Sequence, residues 1–427
     1  MSVVDIARTA GGLARTTGAQ VARAPQRVRS TRTHLALLST PRRRVPWTPG
    51  FYDAPANLAA LAPGELIRAE PMDAYLVPGV RLRAHAWRLL HRSTGAVGEP
   101  TAVSGTLLLP AAARAGSLPL IAYAAGTHGI GDAAAPSRLL ATGRDWEAGL
   151  MALALGRGCA VVISDYQGLG TAGDHVYMVG RALGANVLDA IRASRQVARA
   201  ALPADAPVGV MGYSEGGTAA AWAAQLQPMY APELELAGVA AGAAAADVEL
   251  AGPTLEGSFF SFFLAYGAIG YAAAYPELEL EPYLVGDGAR AIDALRLTNI
   301  LQAAVRGPRF ARVNELTSPN VLELPSWRRR LRENRLGTLA PAAPVLLHHA
   351  RHDQIVAFEH SEQLLDDWQA LGVEVTLRVT RGGFDHLSGA VAGVPVALDW
   401  LQRRLDAPRV SRAPASPGNV IPLRRSA

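Results

Sequence analysis

Apolar and polar positions alternate along this chain with two periods, one typical of strands and one of helices. From about residue 80 the two patterns follow each other in turn. Continuous apolar runs at 118–124 and 158–164 are typical of strands buried on both faces of a parallel sheet. This alternation predicts an α/β fold in which helices cover both faces of a mainly parallel sheet.

The predicted elements leave loops at the carboxyl ends of several strands. Predicted strands cover 81–90, 101–109, 118–124, 158–164, 207–211, 236–241, 344–349 and 373–380. Predicted helices cover 145–156, 174–200 with Asp174 as N-cap, 215–227, 358–371 and 387–405. Because the carboxyl ends of parallel strands meet at one edge of a sheet, we expect these loops to share a site.

The alternation stops between residues 252 and 340, where proline, glycine, aromatic clusters and an arginine-rich stretch predominate. We therefore predict four segments in the 427-residue chain. The main α/β domain comprises 45–251 and 341–405, and a helical lid or cap at 252–340 interrupts it. A basic N-terminal extension covers 1–44, and a basic C-terminal tail covers 406–427.

One segment is long enough to span a membrane, since residues 257–275 carry no charge. It contains three glycines, two serines and three tyrosines, and Pro276 and Glu277 follow it directly. This composition favours a buried or substrate-facing helical pair over a membrane span.

Charge is distributed unevenly along the chain, whose formal net charge is +5 and whose positive side chains are all arginine. Residues 1–44 carry nine arginines against Asp5, a balance of +8, and residues 403–427 carry six against Asp406, a balance of +5. The body is therefore left at −8, and we expect no nucleic-acid partner for it. Contact of the two basic tails with a membrane surface of anionic lipid is a hypothesis, and a plain solvated extension is its alternative.

The single cysteine, Cys159, excludes an intrachain disulfide and lies in an apolar run typical of a buried strand. No metal-ligand spacing involves it, and we expect neither a metal nor a cofactor. No apolar run of about 7–15 residues follows the first charges, as a Sec signal requires. We therefore expect a cytoplasmic or membrane-peripheral protein. The oligomeric state stays open.

A nucleophile motif, G-x-S-x-G, occurs at residues 212–216, which read Gly-Tyr-Ser-Glu-Gly. A predicted strand leads into it and a small-residue helix follows, which is the strand–turn–helix context that this motif requires. The glycines are expected because a Cβ at the tight turn would clash with neighbouring backbone. Ser214 is the predicted nucleophile, and an ordinary serine in a glycine-rich turn is the alternative.

A serine hydroxyl needs a base and an orienting acid, which follow the nucleophile in the order acid, then histidine. Asp353 follows the predicted strand at 344–349, and His386 precedes the last helix. Both would reach the carboxyl edge of the sheet. We interpret His348 and His349 as structural, because they lie inside a predicted strand, and Asp385 as a polar neighbour of His386.

A tetrahedral intermediate needs backbone N–H donors for its oxyanion. The residue after the nucleophile, Glu215, is one predicted donor. The glycine-rich loop after the strand at 118–124 supplies the other, around Thr127 and His128; a phosphate-binding turn or a plain loop is the alternative for that segment.

Several of these segments together resemble the secretory lipase family, of the lipase A type. They are Gly-Tyr-Ser-Glu-Gly-Gly at 212–217, Gly-Thr-His-Gly at 126–129, Ala-Pro-Ser at 135–137, Asp-Tyr-Gln-Gly-Leu-Gly at 165–170, Phe-Tyr-Asp at 51–53 and Asp-Gln-Ile-Val at 353–356. The resemblance implies an α/β-hydrolase fold with a helical lid inserted before the acid-bearing strand. By position it implies the triad Ser214, Asp353 and His386, and it implies secretion as the alternative location.

The motifs and the resemblance predict a serine carboxylic ester hydrolase, with a small-molecule ester or lipid such as an acylglycerol as substrate. An acyltransferase or thioesterase with the same triad is one alternative. A non-catalytic lipid-binding protein on a hydrolase scaffold is another. Four phenylalanines in the predicted lid suit either an acyl chain or packing of the lid itself: Phe259, Phe260, Phe262 and Phe263.

Overall fold

The computed structural model describes residues 50–112 and 116–407, so the predicted N-terminal extension and all but the first two residues of the C-terminal tail lie outside the described part. Its strands are β1 (Leu66–Met72), β2 (Tyr75–Val77), β3 (Val80–Arg81), β4 (Ala84–Thr94), β5 (Pro100–Pro110), β6 (Leu120–Ala124), β7 (Ala160–Ser164), β8 (Val208–Tyr213), β9 (Leu236–Gly242), β10 (Val345–His349) and β11 (Val375–Val379). Nine of these form one sheet in the order β1-β4-β5-β7-β6-β8-β9-β10-β11.

The sheet is parallel from β7 to β11 and antiparallel at the other edge, where β1, β4 and β5 lie. Strands β6, β7, β8 and β10 are buried at every position, as expected for parallel strands covered on both faces. The predicted mainly parallel sheet is confirmed. The carboxyl ends of β6, β8, β10 and β11 lie at the same edge, because these strands run in the same direction.

Twelve α-helices accompany the strands in the described residues. They are α1 (Pro136–Thr142), α2 (Ala148–Gly156), α3 (Gly180–Val197), α4 (Glu215–Tyr230), α5 (Val248–Leu255), α6 (Phe262–Ala274), α7 (Gly288–Leu295), α8 (Ile300–Arg306), α9 (Val313–Leu316), α10 (Pro325–Glu333), α11 (Glu359–Ala370) and α12 (His386–Leu405). Helix α3 packs on α4, and both α4 and α12 contact β8 and β9.

Six helices, α5 to α10, lie between β9 and β10, where the sequence predicts a helical insertion. The uncharged stretch at 257–275 contains α6, whose side chains are largely buried in the core. Among the described residues, no helix combines the length and hydrophobicity needed to cross a bilayer. The role of this insertion as a lid stays a prediction.

One predicted helix begins later than expected. Helix α3 starts at Gly180, without a side-chain cap, although Asp174 is a suitable N-cap by sequence. Asp174 instead accepts a hydrogen bond of 2.8 Å from Arg296 in the insertion. The Asp174 side chain, which the local pattern predicts as an N-cap, is therefore held instead by an ion pair with a residue distant in sequence.

A close helix–helix contact allows a test of the packing of α3 on α4. A Cβ on Gly184 would lie 2.7 Å from backbone of the buried Trp222. We expect Gly184→Ala to lower the free energy of unfolding by about 1–3 kcal/mol through overpacking. The control is Gly149→Ala in α2, where a Cβ meets nothing within 4 Å and a gain of up to about 1 kcal/mol is expected. Equal stability of the two variants in chemical denaturation would contradict this packing.

Candidate active site

Ser214 stands at the sharp turn between β8 and α4. Its backbone has φ 61° and ψ −122°, a conformation that non-glycine residues rarely adopt. Its backbone N–H donates to the Gly242 carbonyl at the end of β9, at 2.9 Å. The turn thus places the hydroxyl at the carboxyl edge of the sheet and at the N-terminus of a helix, where negative charge is stabilised.

The glycines of the motif are required by backbone contacts. A Cβ on Gly212 would lie 2.3 Å from the Gly216 carbonyl oxygen, and one on Gly216 would lie 2.1 Å from the Ala124 carbonyl oxygen. On Gly217 it would lie 1.9 Å from the carbonyl oxygen of Gly242. Any side chain at these positions would push α4 away from the sheet, as the sequence pattern predicts.

Asp353 and His386 form a hydrogen-bonded pair at the same edge. His386 is the first residue of α12, and its Nδ1 lies 2.6 Å from Asp353 Oδ2. Because an ionised carboxylate can only accept, Nδ1–H donates and Nε2 is left as the basic nitrogen of the ring. The His386 ring lies 5.1 Å from the ring of Tyr213, the residue before Ser214.

The carboxylate of Asp353 is buried and fully engaged. Its Oδ1 accepts from the backbone N–H groups of Ile355 and Val356, each at 2.9 Å. Burial opposes its charge, but hydrogen bonds from His349 and His386 outweigh this and lower the pKa of Asp353 below its usual range. His349 Nε2 lies 3.2 Å from Asp353 Oδ2, a contact that sequence reasoning missed.

The serine and the histidine are brought to one edge without a direct bond. No hydrogen bond joins the Ser214 hydroxyl to His386 among residues 50–112 and 116–407. Such bonds often tighten only when substrate binds. Ser214 instead lines an apolar cavity between the sheet and the insertion, together with residues of α5, α6 and α10.

The backbone N–H groups of all three predicted oxyanion residues are available as donors. The Glu215 N–H is at the first turn of α4, where helix amides have no partner within the helix. Thr127 and His128 are buried in the loop after β6, and within the described chain neither of their backbone N–H groups has a hydrogen-bond acceptor. The His128 side chain contacts both the Gly126 carbonyl of this loop and Asp145.

A second hydrogen-bonded pair, Glu215 and His175, supports the turn at Ser214. The carboxylate of Glu215 lies 2.8 Å from His175 Nε2, and His175 Nδ1 lies 3.0 Å from the Gln167 carbonyl oxygen. Both groups are buried. The pair links the loop after β7 to the first turn of α4, which the sequence could not reveal because 40 residues separate the partners.

The four phenylalanines of the insertion occupy different surroundings. Phe263 lines the cavity at Ser214. Phe262 is buried in the core and packs on Tyr266, with ring centroids 5.9 Å apart. Phe260 is half-buried and Phe259 is exposed, and neither lines that cavity.

Comparison with known families and proteins gives a consistent match. Residues 134–411 match the model of the secretory lipase family. Lipase 6 of Candida albicans is 30% identical over 83% of this chain and 80% of its own length. A secreted triacylglycerol lipase of Malassezia globosa is 27% identical over 87% of this chain and 83% of its own length. A probable inactive lipase of Mycobacterium tuberculosis is 28% identical over 92% and 88%.

Solved structures show the same fold. Candida antarctica lipase A superposes with a TM-score of 0.76 at 25% identity, covering 87% of this chain and 90% of its own. The rice cell wall degrading esterase of Xanthomonas oryzae gives 0.67 at 22% identity, covering 81% and 99%. The predicted α/β-hydrolase fold and the resemblance to the secretory lipases are therefore confirmed.

The cytoplasmic or membrane-peripheral location expected from the N-terminal sequence is wrong. The matching family is that of the secretory lipases, and the Malassezia globosa relative is named a secreted lipase. Both findings point to secretion.

The lowered pKa of Asp353 predicts a pH-dependent contribution to stability. A carboxylate whose folded pKa lies below its ordinary 3.8 stabilises the protein above that value. This stability is lost as the pH falls through the folded pKa. We expect Asp353→Asn to be less stable than wild type at pH 7 and the difference to shrink below about pH 4. The control is the exposed Asp366→Asn, and an Asp353→Asn difference that does not change with pH would contradict the expectation.

Proposed function

The chain belongs to the secretory lipase family, and we propose that it hydrolyses acylglycerols or related acyl esters through Ser214, His386 and Asp353. Its family and its lipase and esterase relatives make it a carboxylic ester hydrolase. The observation that carries the proposed mechanism is the 2.6 Å bond between His386 and Asp353 at the sheet edge that presents Ser214.

In this mechanism Ser214 Oγ attacks the ester carbonyl carbon, and His386 Nε2 accepts the hydroxyl proton. Asp353 holds the imidazole in the tautomer that leaves Nε2 free and stabilises the imidazolium. The N–H groups of Glu215 and of the loop at Thr127 and His128 bind the oxyanion. His386 then gives its proton to the departing alkoxide, which leaves as the alcohol. Water, deprotonated by the same imidazole, attacks the acyl carbonyl, and His386 returns that proton to Ser214 Oγ as the acid is released.

The acyl chain is assigned to the apolar cavity at Ser214. Met178 and Phe263 line it, and so do Trp327 and Leu331 of α10. Burial of a methylene there contributes about 0.8 kcal/mol, so a cavity of this character favours an acyl chain over a polar group. Gly267, on the α6 face of the cavity, leaves open space where a Cβ would lie.

Two alternatives use the same scaffold. An acyltransferase or thioesterase would differ only in the acceptor or leaving group. A non-catalytic lipid-binding protein is the alternative of another class. The observation that favours this alternative is the Mycobacterium tuberculosis relative named a probable inactive lipase. The strained backbone of Ser214 favours catalysis, because a non-glycine residue at positive φ is costly to maintain in a mere binding protein. The hydrogen bond from His386 to Asp353 also favours catalysis, because it leaves Nε2 of the ring as a base.

Ser214→Ala is expected to abolish hydrolysis of a p-nitrophenyl ester, since no other group supplies the nucleophile. Wild type should also be labelled at Ser214 by a fluorophosphonate probe. The control, Ser117→Ala, changes an exposed serine in a loop and should retain full kcat and labelling. A wild type that folds but is neither labelled nor active would favour the non-catalytic alternative, and faster product formation with an added alcohol would favour an acyltransferase.

Gly267→Leu is expected to shift chain-length preference toward short acyl esters, because its side chain would occupy the cavity. We expect kcat/KM to fall about tenfold or more for a long-chain ester and little for an acetate, since several buried methylenes would be excluded. The matched control is Gly252→Leu in α5, another helical glycine with open space, which does not line the cavity. The same fall for both ester lengths would contradict this assignment.

A further inference from the structure

A buried charged cluster lies behind the loop that follows β6. His128 is 2% exposed, and its Nε2 lies 3.3 Å from Asp145 Oδ1 and 4.0 Å from Glu147 Oε2. Both carboxyl groups are also buried and come from the turn before α2. The ring of Trp146, which is exposed, stacks on the imidazole at 5.3 Å and covers it on the solvent side.

Side chains hold consecutive backbone groups at the start of this loop. Tyr166 Oη–H donates to the Ala125 carbonyl at 3.0 Å. The Gly126 N–H donates to Glu147 Oε2 at 3.0 Å, and the Gly126 carbonyl lies 2.8 Å from His128 Nδ1. The Gly126 backbone is therefore held at its N–H by Glu147 and at its carbonyl by His128.

The far side of the loop is anchored to the helical insertion. The N–H groups of Ile130 and Gly131 donate to the Thr298 carbonyl, and the His128 carbonyl accepts from Ile300. Between these two anchors lie the backbone N–H groups of Thr127 and His128, which have no acceptor in the described chain. A segment held at both ends with its amides free is a preorganised donor for a developing negative charge.

The arrangement requires a charged imidazole. Since Nδ1 donates to a carbonyl and Nε2 faces a carboxylate, both ring nitrogens carry protons. Burial opposes this charge, but Asp145, with Glu147, outweighs burial and raises the pKa of His128 to about 9. Burial, together with Asp145, raises the pKa of Glu147 to about 7 against the effect of His128. The titratable groups facing the ring are Asp145 and Glu147 and, behind Glu147, Tyr123 of β6.

We propose that His128, Asp145 and Glu147 are positioning residues. Their side chains hold the Gly126 backbone so that the free N–H groups of the two residues that follow it face the oxyanion. The inference rests on the proposed function and adds to it three side chains that do not touch substrate. A protonated Glu147 keeps a carbonyl oxygen for the Gly126 N–H, so its titration leaves the loop in place. Loss of the proton on His128 Nε2 removes the hydrogen bond to Asp145, and the loop loses this support.

The test compares two substitutions of His128. His128→Leu removes the charge and the donor to the Gly126 carbonyl, and kcat on a soluble ester should fall about 10²–10³-fold with little change in KM. His128→Asn keeps a donor near the position of Nδ1 without the charge, and should recover part of that loss. In wild type kcat should fall as the pH rises through about 9, and this alkaline limb should be absent in His128→Asn.

The matched control is His91→Asn, another fully buried histidine, whose ring nitrogens have no partner among the described residues. Its kcat and alkaline limb should match wild type. If His128→Leu does not fold, the pH profile of His128→Asn decides. An active wild type with unchanged kcat in His128→Leu, or an unchanged alkaline limb in His128→Asn, overturns this inference alone. A wild type without activity or Ser214 labelling overturns the proposed function, and this inference with it.

Discussion

The close approach of the first turn of α4 to the sheet is the constraint on which the site depends. At Gly212, Gly216 and Gly217 the backbones of β6, β8, β9 and α4 come so near that only hydrogen atoms fit between them. This contact holds Ser214 at a positive φ and directs the N-terminus of α4 toward the space above Ser214. The same contact brings the end of β6, and so the loop at Thr127, beside the turn.

Buried histidines of the described chain differ in pKa, and their neighbours decide the difference. Burial lowers the pKa of His91 and His348 to about 3, because no carboxylate faces them, and they stay neutral. His128 keeps its charge because Asp145 lies against it. Histidine is thus a neutral core residue in the sheet and a charged residue at the loop after β6. Whether a carboxylate lies against the ring decides which charge state it takes.

Local pattern was sufficient where an element and its partners are close in sequence. The strand–turn–helix at Ser214 follows from apolar periodicity and glycine spacing. Asp353 and His386 lie far from Ser214 in the sequence and are predicted instead from the order of acid and histidine after the nucleophile. The start of α3 and the contacts of His175 could not be predicted, because Arg296 and Glu215, which fix them, come from distant segments. Aromatic composition likewise could not say which phenylalanine of the insertion faces the cavity.

The position of the insertion in the chain has a consequence for synthesis. The turn at Ser214 and the strands β6, β8 and β9 around it precede the insertion, whereas the proposed acid and base follow it: Asp353 comes after β10 and His386 begins α12. Chains emerge from the ribosome N-terminus first and fold largely in that order. In the proposed mechanism the nascent protein therefore carries Ser214 without its base while residues 215–385 are made, and reactivity toward cellular esters is withheld until α12 has been made.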